Sequence, residues 1–313
     1  MTIASEIQDL QTNLTSAKSA VTAKGGTVGD TGLAGLASEI ASIPSGGGPL
    51  ASYGTVTYLD GNNVEQTLTL ATEDDFIALC NPLASNTEVV ISNTLVLKSN
   101  ITSVTVAEGV NFIPDYFCSY CTSLENVTIP DTIEYIGYGF CNGCTLLDCA
   151  LTLTNVKGIG GYFLYACPAF NHPINLPNIV YIDGTFMRNC TSFNSSLTLG
   201  ENLVEIRDNF LRGCSAFAQS LTIPSGLWEH SSITSVIGNY FMQNCNNFTG
   251  PLVCNSPSVS TKILQSNNVL STETSTAPMY TTGVTLTGPY AQVWKDALSD
   301  RTSSPYRKLI VGS

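Results

Sequence analysis

Cysteine is the residue in this chain most able to do chemistry, and six of the 11 cysteines recur in one pattern. Each of the six stands four residues after a phenylalanine and three residues before a leucine or phenylalanine. The members of this cysteine column are Cys121, Cys144, Cys167, Cys190, Cys214 and Cys245. Cysteines spaced so regularly are candidates for zinc ligands, disulfide partners, nucleophiles or small core residues.

The first two members lie in a zinc-like spacing, because CSYC at 118–121 and CNGC at 141–144 are separated by 19 residues. Two C-x2-C pairs at such a separation are typical of a structural zinc site. The position held by Cys118 and Cys141 is, however, apolar in the later units. Those units hold Leu164, Met187, Leu211 and Met242 there. We therefore expect reduced, inward-facing cysteines without a bound metal, and zinc stays open as the alternative.

Disulfides and nucleophilic catalysis are the two remaining roles. Stacked repeats would place equivalent cysteines about 4.8 Å apart, within the Cα separation of a disulfide, so bridges also stay open. The odd count of 11 cysteines argues against complete pairing. A nucleophile needs a basic partner, and the only histidines, His172 and His230, fall at irregular positions between repeats. We expect no catalytic residue, no enzymatic activity and no cofactor.

The cysteine column belongs to a repeat that is read most easily from its phenylalanines. Successive units are 23, 23, 23, 24 and 31 residues apart, at Phe117, Phe140, Phe163, Phe186, Phe210 and Phe241. An isoleucine precedes each by four residues, at Ile113, Ile136, Ile159, Ile182, Ile206 and Ile237. Apolar-x-apolar triplets such as VTI and LTL separate the units. This self-similarity predicts a solenoid, because one unit cannot bury its apolar side alone.

These columns resemble the BspA-like (treponemal-type) leucine-rich repeat, with its pattern I-x-x-I-x-x-x-F-x-x-C-x-x-L between short strands that end in IP. The resemblance covers residues 101–254, where VTIP at 127–130 and LTIP at 221–224 fit it well. The chain departs from it by placing cysteine four after phenylalanine and by inserting about seven residues around LWEHSS. The resemblance implies a right-handed arc of parallel strands with little helix, and roles in adhesion and recognition.

The triplets also predict a solvent-facing row. Side chains alternate along a strand, so the middle residue points outward when its two neighbours point inward. The candidate ligand-facing row is Thr105, Thr128, Thr152, Asn175, Thr198 and Thr222, followed by Val253. Short neutral groups suit a glycan or a protein surface, although threonine also favours any solvent-facing strand. The insertion before Phe241 adds Trp228 and His230 as a second candidate site.

The N-terminus has a different pattern, in which apolar residues alternate at spacings of four and three. This seam comprises Ile3, Ile7, Leu10, Leu14, Ala17 and Val21. It is an a/d heptad seam, and KGG at 24–26 ends it as a glycine C-cap. Two interpretations of this segment stay open: an antiparallel helical hairpin that packs on itself, and an oligomerising or docking segment. If the segment oligomerises, we favour a trimer. Residues 10–47 resemble the N-terminal attachment region of tail and fibre proteins in bacteriophages of low-GC Gram-positive bacteria.

Five segments are predicted along the chain. DGNN at 60–63 indicates a β-hairpin, and Thr72 indicates the N-cap of a short helix. Acidic residues follow in its first turn, where they are ordinary helix-dipole partners rather than metal ligands: Glu73, Asp74 and Asp75. The segments are a helical anchor (1–43), a Gly/Pro/Ser linker (44–49), a hairpin-and-helix N-terminal cap (50–100), the solenoid (101–254) and a C-terminal cap (255–313).

The charged residues of the chain exclude some classes of binding partner. The chain carries a net charge of −12, and only 12% of its residues are charged. It lacks the basic patch that nucleic acids or anionic lipids require, so we expect neither nucleic-acid binding nor membrane insertion. The first residues, MTIASEIQDLQ, do not form a signal peptide. We expect a protein made in the host cytoplasm and located in a virion.

These patterns together favour a virion structural protein, namely a phage tail-fibre or receptor-binding subunit. The N-terminal segment would bind other virion proteins, and the solenoid would bind a host surface glycan or protein. A head fibre or capsid decoration protein is one alternative, and a bacterial surface adhesin of the BspA type is another. A glycan depolymerase would need two converging carboxylates, and the repeat columns offer none.

Overall fold

The computed structural model describes residues 50–227, 237–256, 270–271, 283–299 and 309–312. Two units divide the chain, Met1–Leu50 and Ala51–Ser313, and all that follows concerns the second. The anchor seam and the linker lie outside the described residues. So do Trp228 and His230 of the insertion.

Short strands dominate the described residues. The first part of the chain contains β1 (Gly54–Leu59), β2 (Glu65–Leu70), α1 (Glu73–Ala78), β3 (Glu88–Ile91), β4 (Thr94–Leu97), a 3-10 turn (Lys98–Asn100) and β5 (Ile101–Val106). The repeats contain β6 (Phe112–Ile113), β7 (Asn126–Thr128), β8 (Tyr135–Ile136), β9 (Gly158–Ile159), β10 (Ile174–Leu176), β11 (Tyr181–Ile182), β12 (Leu197–Leu199), β13 (Leu221–Ile223) and β14 (Leu252–Cys254). Then come β15 (Val284–Thr287), α2 (Ala291–Ser299) and β16 (Leu309–Val311). The predicted solenoid of short parallel strands is confirmed.

The triplets form the first side of each coil. Parallel strands pair in register, as the pairs Thr105–Thr128, Asn175–Thr198 and Thr222–Val253 show. Within β12, Leu197 and Leu199 are buried while the residue between them is exposed. This alternation is the one that a strand with one buried face requires.

The isoleucine column forms the second side. Strands β6, β8, β9 and β11 pair in parallel, and isolated bridges continue the ladder from Ile182 to Ile206 and from Ile206 to Ile237. All six isoleucines are buried. In strands β6, β8, β9 and β11, the residue before the isoleucine therefore lies on the opposite, outer face of this sheet.

The third side carries the phenylalanine and cysteine columns and contains no strand in the described coils. Residues one before, one after and three after each phenylalanine all have φ between 50° and 78°. Around Phe163, the amide of Tyr162 donates to Gly184 of the next coil, and that of Leu164 donates to Phe140 of the previous one. Left-handed backbone costs a non-glycine residue about 1–2 kcal/mol. These bonds between coils offset that cost.

Aromatic rings fill the core beneath this side. The phenylalanine column stacks with interplanar angles of 8° to 12° and centroid separations of 5.2 to 6.1 Å along Phe117, Phe140, Phe163, Phe186, Phe210 and Phe241. A second stack runs through Phe170, Phe193, Phe217 and Phe248. Phe76 of α1 lies 5.2 Å from Phe117 and extends the first stack into the N-terminal cap.

The N-terminal cap closes the first sheet. Asp60 accepts the amides of Asn62 and Val64 and so fixes the predicted turn between β1 and β2. Strand β1 then pairs antiparallel with β5, which places the hairpin next to the first triplet. Helix α1 begins after Thr72, whose hydroxyl accepts the amide of Asp75 in a capping box.

Asp75 is the centre of a small polar cluster in this cap. Its carboxylate accepts the Ser92 amide at 2.5 Å, the Thr72 amide at 3.0 Å and the Thr72 hydroxyl at 2.9 Å. The bond from the Ser92 amide is the largest influence that holds the pKa of Asp75 below its ordinary value. A carboxylate with a lowered pKa stabilises the fold above the unfolded-state pKa and loses that contribution as pH falls through the folded-state pKa.

We expect Asp75→Asn to lower the free energy of unfolding at pH 7 by about 2 kcal/mol, because an amide group would face two backbone donors. The difference from the unchanged protein should shrink as pH falls from about 4, where the unfolded chain takes up the proton, through the lower folded-state pKa of Asp75. Urea titrations at pH 7 and pH 3 measure both effects. Asp74→Asn, at an exposed position of the same turn, is the control. An equal loss at both pH values would contradict the assignment.

At the C-terminal end, β13, β14, β15 and β16 pair in parallel and form a four-stranded sheet of their own. Trp294 of α2 is buried, and its indole N–H lies 3.4 Å from the Ser256 carbonyl oxygen. Among the described residues, no helix combines the length and apolar character needed to cross a membrane.

Candidate recognition surface

The predicted hydroxyl row lies on the outer face of the first side of the solenoid. Every predicted member is exposed: Thr105, Thr128, Thr152, Asn175, Thr198 and Thr222. Val253, which follows them, is half-buried. The row is positioned by the buried residues on either side of each member, such as Leu151 and Leu153 around Thr152. Changing a row residue therefore alters the surface without opening the core.

The row continues beyond the repeats. Thr105 pairs with Thr55 of β1, which pairs in turn with Thr69 of β2. At the other end Val253 pairs with Thr287 of β15. Strands at both ends thus add further threonines to this side of the solenoid, which consists of three separate sheets, and repeat columns alone do not predict this continuation.

The chemistry of this face is neutral hydrogen bonding. A second row two residues before the first contains mostly small, uncharged side chains: Ser103, Asn126, Ala150, Pro173, Ser196 and Ser220. Hydroxyl and amide groups can both donate and accept hydrogen bonds. Without a formal charge in either row, the face offers no strong attraction to phosphates or charged peptides.

The cysteine column is fully buried beneath the third side. Five thiols each donate to a backbone carbonyl of the preceding coil at 3.0 Å: Cys144 to Cys118, Cys167 to Cys141, Cys190 to Leu164, Cys214 to Met187 and Cys245 to Leu211. Each acceptor is a left-handed residue that directly follows a phenylalanine. Cysteine at this position is thus a small apolar side chain that also satisfies a buried carbonyl.

This arrangement bears on the open alternatives for cysteine chemistry. All 11 cysteines are unpaired. Burial raises the pKa values of Cys190 and Cys214, so these thiols keep the proton that they donate. Among the described residues, no group of three or more His, Cys, Asp or Glu side chains has the geometry to hold a metal ion. His172 lies 3.0 Å from the backbone oxygen of Asp148 at the surface, away from the thiols.

Sequence reasoning missed an aromatic column on the outer face of the second side. Phe112 and Tyr135 are 48% and 49% exposed, and Tyr181 follows two coils later. The signal was available, because each residue directly precedes an isoleucine of the repeat. Gly158 and Glu205 occupy the same position in other units and conceal the pattern.

The match to a known family agrees with this architecture. A family model described as BspA type leucine-rich repeat region matches residues 83–171 and 157–256. A leucine-rich cell surface protein from Faecalibacterium prausnitzii A2-165 is 18% identical with a TM-score of 0.34, covering 64% of this chain and 53% of that one. A leucine-rich repeat protein from Bacteroides ovatus ATCC 8483 is 15% identical with a TM-score of 0.32, covering 67% and 72%. The chain spans about half the length of the first structure. No curated protein matches the sequence.

Proposed function

Because this chain belongs to the BspA-type leucine-rich repeat family, we propose that it is a non-catalytic recognition protein that binds its partner through the hydroxyl row. The observation that supports this proposal is that every member of the row, from Thr105 to Thr222, is exposed while the residues on either side of it are packed in the core. Solenoids commonly bind partners along such extended faces. The neutral chemistry of the row favours a surface glycan or an uncharged patch of a protein.

Introducing positive charge into the row should abolish binding without unfolding the solenoid. We expect the triple change of Thr128, Thr152 and Thr198 to Lys to reduce binding of the fluorescently labelled protein to intact bacterial cells about tenfold or more, because three ammonium groups must be desolvated against a neutral partner. The melting temperature should change little, since all three side chains are exposed.

The matched control carries the same three charges on the cysteine side of the coil, at Thr145, Thr191 and Ser192, which are exposed there. This control variant should bind cells like the unchanged protein. If both triple variants bind cells as strongly as the unchanged protein, the hydroxyl row is not the recognition face. Equal loss in both would show that total charge, and not the face, controls binding.

We place the protein, within this proposal, in a bacteriophage virion as a tail-fibre or receptor-binding subunit, self-associated through residues 1–43. The support is the heptad seam from Ile3 to Val21 and the resemblance of residues 10–47 to phage attachment segments. Gold-labelled antibody on intact particles tests the placement. Label at the tail tip supports it, whereas label on the capsid identifies a head fibre or decoration protein.

A bacterial surface adhesin is the second candidate, and membership of the BspA-type family is the observation that favours it. The same antibody distinguishes the two. Label on intact bacterial cells that release no phage particles would establish the adhesin and overturn the virion placement. The recognition role of the hydroxyl row applies to either location.

A further inference from the structure

A cleft opens on the second side of the solenoid, on a different sheet from the hydroxyl row. Phe112, Tyr135, Gly158 and Tyr181 lie in register on four neighbouring parallel strands. Neighbouring strands are about 4.8 Å apart, so the side chains of Tyr135 and Tyr181 leave the sheet two strand spacings from each other. Gly158 stands between them and leaves the intervening position without a side chain.

The Tyr135 ring lies over Gly158, in the space that a side chain at this position would need. A Cβ atom at residue 158 would lie 2.9 Å from Cδ1 of Tyr135. The resulting cleft has a volume of about 520 Å³ and is lined by Phe112, Tyr135, Lys157, Gly158, Val180 and Tyr181. That volume is in the range of small-molecule sites in proteins. Phe112, Tyr135 and Val180 are among the exposed large apolar side chains of the protein.

The Tyr181 ring, which forms one wall of the cleft, is held in place by Arg207. The Arg207 guanidinium lies 4.9 Å from the centre of the Tyr181 ring, a cation–π contact. Arg207 in turn donates to Glu205 at 2.6 Å and to Asp183 at 3.2 Å. Burial is the main cause that raises the pKa of Tyr181 to about 12, so its hydroxyl stays protonated. Tyr181 is thus a fixed ring with a hydrogen-bonding hydroxyl.

The charges around the cleft favour a neutral ligand over an anionic one. Lys157 at the rim pairs with Glu134 at 3.0 Å, and Arg207 pairs with both Glu205 and Asp183. Carboxylates therefore outnumber cations here, in a protein whose net charge is −12. Both cations are thus already paired with carboxylates, so a phosphate or a sugar acid would have to compete for them, whereas a neutral ligand can hydrogen-bond to the rim without breaking these pairs.

The paired backbone beneath the cleft excludes a peptide that binds by strand addition. Strand β8 is paired with β6 and β9, and β9 is paired with β8 and β11. Neither strand has a free edge on which another strand could be added. The remaining recognition groups are aromatic faces below and polar side chains at the rim.

We propose that this aromatic cleft binds a neutral pyranose ring of a glycan, stacked against Tyr135 and Tyr181 with its hydroxyl groups directed to the Lys157–Glu134 pair. A pyranose has a C–H face that complements the negative face of an aromatic ring, and an edge of hydroxyls that needs donors and acceptors. The cleft supplies both. The site lies apart from the hydroxyl row, so either site can fail without affecting the other.

The test measures binding of a panel of neutral hexose oligosaccharides to the full chain by isothermal titration calorimetry. We expect at least one member to bind, and Tyr135→Ala to weaken it about tenfold or more through loss of ring stacking. Tyr135→Phe should retain binding, because the ring remains. Tyr120→Ala removes an exposed tyrosine outside the cleft and should leave affinity unchanged.

Several results would overturn the proposal: no binding to any panel member, unchanged binding in Tyr135→Ala, or preference for sialylated or uronic-acid glycans. Binding of phenylalaninamide without any saccharide would indicate a peptide side chain as the occupant. If Tyr135→Ala does not fold, Val180→Glu at the exposed rim provides the same comparison. The triple lysine variant of the hydroxyl row should bind the saccharide normally, which separates failure of this cleft from failure of the proposed recognition face.

Discussion

Phe163→Ala should lower the free energy of unfolding by about 3–5 kcal/mol, the largest loss expected from any single truncation in the solenoid. The Phe163 side chain is completely buried. Its ring lies 5.4 Å from Phe140 and 5.3 Å from Phe186, at interplanar angles of 12° and 8°. Removing it would leave a ring-sized cavity in the middle of the stack and break both ring contacts.

The structure prevents the core from closing over such a cavity. The backbone on both sides of Phe163 is tied to the neighbouring coils, through Tyr162 to Gly184 and through Leu164 to Phe140. Where the surrounding side chains cannot move into a cavity, the full free-energy cost of the cavity lowers the stability of the fold. Phe163→Leu keeps much of the volume and should cost considerably less, even though it also breaks the stack.

Urea unfolding of the full chain measures these differences. Phe112→Ala is the control, because that side chain is 48% exposed and belongs to neither phenylalanine stack; its cost should be about 1 kcal/mol. A similar small cost for Phe163→Ala would show that the stack is not a principal source of stability. A large cost accompanied by a reduced denaturant slope would show that the two halves of the solenoid unfold separately.

The repeat columns made most of the solenoid predictable from sequence. An isoleucine, a phenylalanine and a cysteine that recur together occupy equivalent places in stacked coils, so their burial follows from the period alone. The outward row followed from strand alternation in the same way. These inferences needed no knowledge of how the chain turns between columns.

The backbone of the third side was not predictable at the position directly after each phenylalanine, because the left-handed residues there give no local signal. Leu164 and Cys118 are apolar residues with φ of 50° and 54°, a conformation that short-range preferences assign to glycine or asparagine. The bonds between coils enforce it, and such bonds exist only after stacking. The antiparallel join of β1 to β5 was hidden for a related reason, since a hairpin pattern does not specify the partner of its outer edge.

The sulfur–carbonyl bonds of the cysteine column lead to the second large expectation. Cys190→Asp should cost more than about 4 kcal/mol and leave the middle coils unfolded at pH 7, because a buried carboxylate would face the Leu164 carbonyl oxygen in place of a donor. The position is completely buried, and its neighbours in the column, Cys167 and Cys214, direct their own hydrogen atoms to other carbonyls. The neighbouring thiols therefore offer no donor to the new charge, and the Cys167 backbone N–H, which reaches the Cys190 side chain, cannot replace the hydration that a carboxylate loses on burial.

Two further variants separate the charge from the lost bond. Cys190→Ala removes the donor and little volume, so about 1–2 kcal/mol should be lost at any pH. Cys190→Asn places a neutral group of the aspartate's size at the site and accounts for steric crowding, also without pH dependence.

Burial raises the folded-state pKa of the aspartate in Cys190→Asp. The destabilisation should therefore grow as pH rises above the unfolded-state pKa of about 3.9 and fade below it. Circular dichroism melts of the three variants from pH 3 to pH 7 would show this. A pH-independent loss in Cys190→Asp, equal to that of Cys190→Asn, would mean that the column tolerates charge and that size alone selects cysteine.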